Sequence, residues 1–195
     1  MRRIVAVLSA WALAAGLASG APPEAFESRA RERVAALVEA AHEARTDPGL
    51  GAVERAERMR AAVASAFALD LWLRAVLGER AEALTPAERA EIEALLPAYL
   101  AALYLDSFGA GAAPPVIGEV EPARRDVLVA ARLPRASAED LELLYRVREV
   151  AGEARVLDVL VGGVSFALLK RDQFRSILEA EGPARLIEVM RDATR

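Results

Sequence analysis

RVLDVLVGGVSFALLKRDQF, residues 155–174, changes character twice in twenty positions. Val156 to Val161 is an apolar run interrupted by one acid, Asp158. Gly162-Gly163 then breaks the run, and the residues from Phe166 onward follow helical spacing. The stretch reads as strand, tight turn, helix. Ser165 stands at the junction, where a serine is either a nucleophile on an elbow or the cap of the helix that follows. Gly163-Val-Ser165-Phe-Ala167 lacks the final glycine of the G-x-S-x-G elbow, and His42, the only histidine, lies on a distant helix. The cap is the better reading, because a hydroxyl just before an apolar helical run satisfies an orphan N–H. A hydrolase built on Ser165 stays as the alternative. Asp158 reads as a structural acceptor.

Upstream, the period is two. Val127, Val129, Ala131 and Leu133 fall on one side of a strand, with Leu128, Ala130 and Arg132 on the other. Leu141, Leu143, Tyr145 and Val147 alternate in the same way with Glu142, Leu144, Arg146 and Arg148. A weaker strand covers Val116 to Val120. Short turns join these runs, so they form an antiparallel meander of about four strands. Apolar residues on both sides of 141–147 and 156–161 imply that both faces of the sheet are covered.

Before residue 108 the period is helical. Phe26, Ala30, Val34, Leu37, Val38 and Ala41 make one stripe, broken at Asp47-Pro48-Gly49. A second helix runs from about Val53 to Phe67, and a third begins at Leu69 and ends near Gly78. Thr85-Pro86-Ala87-Glu88 is a capping box with proline in the first turn, opening a helix that Pro97, inside the pattern, should kink. After Ser165, one helix runs to Gly182 and a last one starts at Pro183. The fold class is α+β: N-terminal helices, a curved antiparallel sheet and two C-terminal helices in a single domain, with an apolar cleft between helices and sheet.

Residues 1–21 read as a signal peptide: Arg2 and Arg3, an apolar stretch from Ile4 to Leu17, then small residues at a cleavage site. That apolar stretch is shorter than the roughly 20 residues a spanning helix needs. The domain is then residues 22–195, and losing two arginines moves its net charge from −4 to −6. An acidic chain with no basic block is a poor ligand for nucleic acid. The chain has no cysteine, which removes disulfides, thiolate catalysis and thiolate metal sites. An exported chain of this size without disulfides points to the periplasm of a Gram-negative bacterium. His42, without a partner, reads as a surface or cap-proximal residue. No phosphate loop is present, because nothing of that motif follows Gly162-Gly163. No metal or cofactor is expected, and the chain does not read as an enzyme.

Two blocks resemble the MlaC-type family of periplasmic lipid-binding proteins, also called the toluene-tolerance or Ttg2-type family. One is Phe67-Ala-Leu-Asp-Leu-Trp-Leu-Arg-Ala-Val-Leu-Gly78, then Leu84-Thr-Pro-Ala-Glu88, then Tyr99, Leu103 and Tyr104. The other is Val156-Leu-Asp158-Val159, Gly163-Val-Ser165, Gln173-Phe174, Gly182 and Leu186-Ile187. Ala81 and Ala154 stand where the family commonly has tryptophan, and Leu157 where it often has tyrosine. The resemblance implies a non-enzymatic carrier in a system that maintains outer-membrane lipid asymmetry. Such a carrier moves phospholipid between an outer-membrane lipoprotein complex and an inner-membrane ABC transporter with an MCE-domain protein. A hopanoid or another amphiphile is the alternative cargo. The lipid-binding residues it implies are Trp72, Leu73, Tyr99, Leu103 and Tyr104 on helices, Val129, Leu143, Tyr145 and Val147 on strands, and Val164 at the turn, pointing into the cleft. Roughly 30 methylenes at about 0.8 kcal/mol each cost a diacyl lipid some 24 kcal/mol in water, and only an apolar interior offsets that.

Overall fold

The computed structural model describes residues 24–107, 113–135 and 139–195. The expected signal peptide lies outside the described residues. Three helices open the fold: α1 (Glu24–Thr46), α2 (Ala52–Ala66) and α3 (Leu69–Leu77), followed by a 3₁₀ turn over Gly78–Ala83 and α4 (Pro86–Ser107). Thr85 caps α4 as its sequence demands. The Glu88 amide donates to Thr85 Oγ1 at 3.3 Å, and the Thr85 amide donates back to the Glu88 carboxylate at 2.8 Å. The helix runs on through Pro97.

The sheet is an antiparallel meander in the order β1 (Val116–Ala123), β2 (Asp126–Leu133), β3 (Leu141–Val150), β4 (Glu153–Val161) and β5 (Val164–Ser165). The fifth strand is the addition to the sequence reading. Gly162 (φ +57°) and Gly163 (φ +82°) turn the chain back on itself, so that Val164 pairs with Val161 and Ser165 with Leu160. Positive φ at both central residues is the geometry of a tight hairpin, which two glycines adopt without strain. Helices α5 (Phe166–Ala180) and α6 (Pro183–Asp192) close the chain.

The period-two residues face one way. Val127, Val129 and Ala131 on β2, Leu143, Tyr145 and Val147 on β3, and Val156 and Val159 on β4 are all buried. α1 crosses this face from β1 to β4 and brings the buried Phe26, Ala30, Val34, Leu37, Val38 and Ala41 onto it. α2 and α4 form the next layer, with α4 also against α6, while α3 packs on α5. A bulge between Arg146 and Val147 shifts the β3–β4 register, so Tyr145 faces Val159 but Val147 faces Val156.

The opposite face departs from expectation. It carries charged side chains rather than a second apolar cover. Asp126, only 1% exposed, sits between Arg146 and Arg148, each with its Nε 2.5 Å from a carboxylate oxygen. The arginines reach out to water while their heads cover the acid. Leu144, Leu160 and Ala130 are only partly shielded between these groups. Burial alone would raise the Asp126 pKa; the bonds from Arg148 and Arg146 outweigh it and hold the carboxyl below its ordinary value. A lowered folded-state pKa stabilises fully above the unfolded value, near 3.9, and that stabilisation is lost as pH falls through the folded one. Asp126→Asn is therefore expected to cost about 2 kcal/mol at neutral pH. The gap from the parent chain should shrink in strong acid, as measured by denaturant unfolding across pH. An equal gap at all pH values would contradict the assignment.

Candidate functional site

Ser165 is built into the junction as a cap. Its Oγ accepts from the Leu168 amide at 3.1 Å and donates to Asp158, whose other oxygen accepts from the Ala167 amide at 2.9 Å and from the Val159 amide at 2.8 Å. One carboxylate on β4 and one hydroxyl thus satisfy the first N–H groups of α5. The spacing Asp158…Gly163-Val-Ser165 follows from this: the glycine hairpin must return the chain beside Asp158 before the helix can start. The hydroxyl is committed to the cap, and the carboxylate it donates to is itself spent on the Val159 and Ala167 amides. Ser165→Ala should lower unfolding stability by about 1 kcal/mol. Asp158→Ala, which strands more donors, should cost more, about 2 kcal/mol. Chemical denaturation of both variants checks the order.

An apolar cavity opens between α1, the end of α4 and the sheet. It holds about 20 Å³ of enclosed space, about 360 Å³ when the open mouth is counted, and its walls include Val38, Ala41, Tyr104, Leu133 and Tyr145. His42 and Arg45 stand at the same cavity, on the last turns of α1. Tyr104 comes from α4 and Tyr145 from the middle of β3; both are buried, and Tyr104 meets Phe67 edge-on at 6.0 Å. Burial pushes the ionisation of both phenols up, and at Tyr104 the neighbouring Tyr145 adds to it, so both stay neutral.

The ten residues singled out from the sequence distribute unevenly. Tyr104 and Tyr145 line the cavity. Trp72, Leu73, Tyr99, Val129, Leu143 and Val147 are buried in the continuous core, and Leu103 is partly buried against it. Trp72 lies beside Phe166 with ring centroids 6.4 Å apart, and Tyr99 beside Phe174 at 5.8 Å. Burial pushes the Tyr99 phenol up to about 12. Val164 does not point into the interior. It is 60% exposed, because β5 is the edge of the sheet and the hairpin leaves its side chain uncovered.

Leu133 pairs with Leu141, Leu143 with Val161, and Val161 with Val164, so Val164 stands on the same end of the sheet as the cavity mouth. Val116, at the start of β1, is at that end too, and Leu168 and Leu169 follow on the first turn of α5. These four are among the five large apolar side chains exposed among the described residues. Val116 and Val164 stand on opposite edges of the sheet, β1 and β5, and neither lines the cavity.

Sequence reasoning missed His42, which is half-buried at the cavity rather than on open surface, and it missed Arg45. The signal was present: both follow Val38 and Ala41 on the stripe that faces the sheet. It also passed over Lys170, which is buried with its Nζ 5.6 Å from the Tyr99 ring centre and 5.4 Å from that of Phe166, donating to Gln173 at 3.0 Å. Desolvation lowers its pKa. No cluster of three or more His, Cys, Asp or Glu able to hold a metal occurs among the described residues.

The family description "MlaC protein" matches residues 31–192. No curated protein sequence matches the chain. Among solved structures, the fold is similar to that of the phospholipid-binding protein from Ralstonia solanacearum, determined in complex with a phospholipid. The TM-score is 0.67 at 16% identity, over 85% of this chain and 96% of that one. The likeness extends through helices and sheet alike.

Proposed function

The chain belongs to the MlaC family, and from that membership we propose that it is a phospholipid carrier whose acyl chains lodge between the helices and the inner face of the sheet. One observation carries the reading: an apolar cavity opens beside Tyr104 and Tyr145, between α1, the end of α4 and the inner face of the sheet. Acyl chains need continuous apolar lining. The Ralstonia solanacearum protein of the same fold holds a phospholipid, which supports that class of cargo here.

The cavity sets a further requirement. The enclosed space is about 20 Å³, room for about one water-sized group and not for an acyl chain as the helices stand. Loading a diacyl lipid then moves the α1–α4 layer off the sheet at the Leu133 end. We place this carrier in the periplasm, exported by the segment 1–21. There it moves lipid between an outer-membrane lipoprotein complex and an inner-membrane ABC transporter with its MCE-domain protein. The chemistry is binding and release, with no catalytic step. Ser165 is committed to its cap, which disfavours the hydrolase alternative.

Protein purified without detergent is expected to carry phospholipid in a fixed ratio, read by native mass spectrometry. Leu133 lines the cavity but is only partly buried, so Leu133→Glu should fold, place a carboxylate in the lipid's path and cut the retained lipid about tenfold. A lipid-free parent protein that also takes up none from vesicles would end the proposal. A hopanoid in place of phospholipid would keep the carrier and change its cargo.

A further inference from the structure

The apolar cavity has a cationic corner. His42 and Arg45 lie three residues apart on α1, so they share a helical face, and both line the cavity. They occupy the last turns of the helix, where the free carbonyls favour positive charge. Arg45 Nη1 donates to the Leu105 carbonyl on α4, which fixes the guanidinium across the gap between the two helices. One bond leaves most of its five donors unspent. Arg45 makes no ion pair among the described residues, whereas Arg132, at the same end of the sheet, is already engaged by Asp140 at 2.7 Å. Val38, Ala41 and Leu133 continue from this corner inward toward the two tyrosines.

A cation at the edge of an apolar cavity matches an amphiphile with an anionic group next to its chains. We propose that Arg45, with His42 one turn before it, binds the phosphate of a glycerophospholipid at the cavity mouth and so sets which end of the cargo faces out. The inference rests on the carrier reading and adds to it the headgroup chemistry and the residues that recognise it. A planar guanidinium pairs two phosphate oxygens at once, and charge-assisted bonds of that kind are about twice as strong as neutral ones. The arrangement selects phosphate-bearing lipids over neutral diacylglycerols that have the same chains. It also predicts that the anchor acts on lipid only, because inorganic phosphate lacks the chains that hold a ligand in the cavity.

The test incubates the purified chain with vesicles carrying phosphatidylethanolamine and diacylglycerol of identical acyl chains, re-isolates the protein and counts each lipid by mass spectrometry. The parent protein should retain about tenfold more phospholipid than diacylglycerol. Arg45→Gln should bring phospholipid retention down about tenfold, to the level of diacylglycerol, and Arg45→Lys should restore part of it. His42→Gln should narrow the preference by a smaller factor. Equal retention of the two lipids by the parent, or a loss of both in Arg45→Gln, would overturn the anchor while leaving the carrier reading standing. Displacement of bound phospholipid by excess inorganic phosphate would overturn it too, since the site would then answer to free anion. Uptake of neither lipid by the parent would overturn the carrier reading and this inference together.

Discussion

The inner face of the sheet has to be covered, and one helix does most of it. Val127, Val129, Ala131, Leu143, Tyr145, Val147, Val156 and Val159 present a continuous apolar surface, and α1 with its 23 residues is about 35 Å long, enough to span a sheet of this width. Its attachments are uneven. Toward its start, Arg29 pairs with Glu149 at the far end of β3, and Arg31 donates to the Ile117 and Gly118 carbonyls of β1. Toward its end, Arg45 is tied to α4 instead. Exposed pairs of this kind are each worth under about 1 kcal/mol, but they say where the cover is pinned to the sheet and where it is not. The cavity lies at the end where α1 holds on to another helix. In the proposed carrier, α1 and α4 move there as a unit, and acyl chains fill the opening with apolar surface of the same character as the side chains that part.

Polar devices hold the frame around this soft centre. Asp126 fastens the outer face of β2 to β3 through two arginines, and Asp158 with Ser165 fastens β4 to α5. Both acids act within strands, away from the cavity, so in the proposed carrier the sheet and its junction with α5 stay fixed while the helices part. Lys170 adds a third fastening, a buried cation held over the rings of Tyr99 and Phe166 that joins α5 to α4.

Much of the frame was legible in residue spacing. The period-two alternation from Val127 to Leu133 and from Leu141 to Val147 names the buried face correctly, because each pleat sends neighbours to opposite sides. The capping box at Thr85 and the cap at Ser165 read directly, since each is a local hydrogen bond with a fixed offset. The outer face was misread for a physical reason: Leu144 and Leu160 look like core by residue type, yet Arg146 and Arg148 beside them are drawn outward to Asp126, a partner on the neighbouring strand. Val164 failed similarly. Its neighbours suggest interior, but the glycine hairpin makes a sheet edge that only the pairing reveals. The stripe on α1 shows only that His42 and Arg45 share a face with Val38 and Ala41; that this face borders a cavity depends on α4, β2 and β3, which no single stretch of sequence carries.

The central claim is that acyl chains enter the core rather than rest on the surface, and Trp72 can report it. It is buried among the core side chains, and Trp11 is the only other tryptophan. The chain 22–195, which leaves Trp72 as its one tryptophan, is loaded with phospholipid brominated on its acyl chains, or with the same lipid carrying the quencher on its headgroup. The fluorescence of Trp72 is then followed. The account predicts strong quenching by chain bromines and little by the headgroup label. Co-eluting lipid that quenches Trp72 from neither position would contradict it.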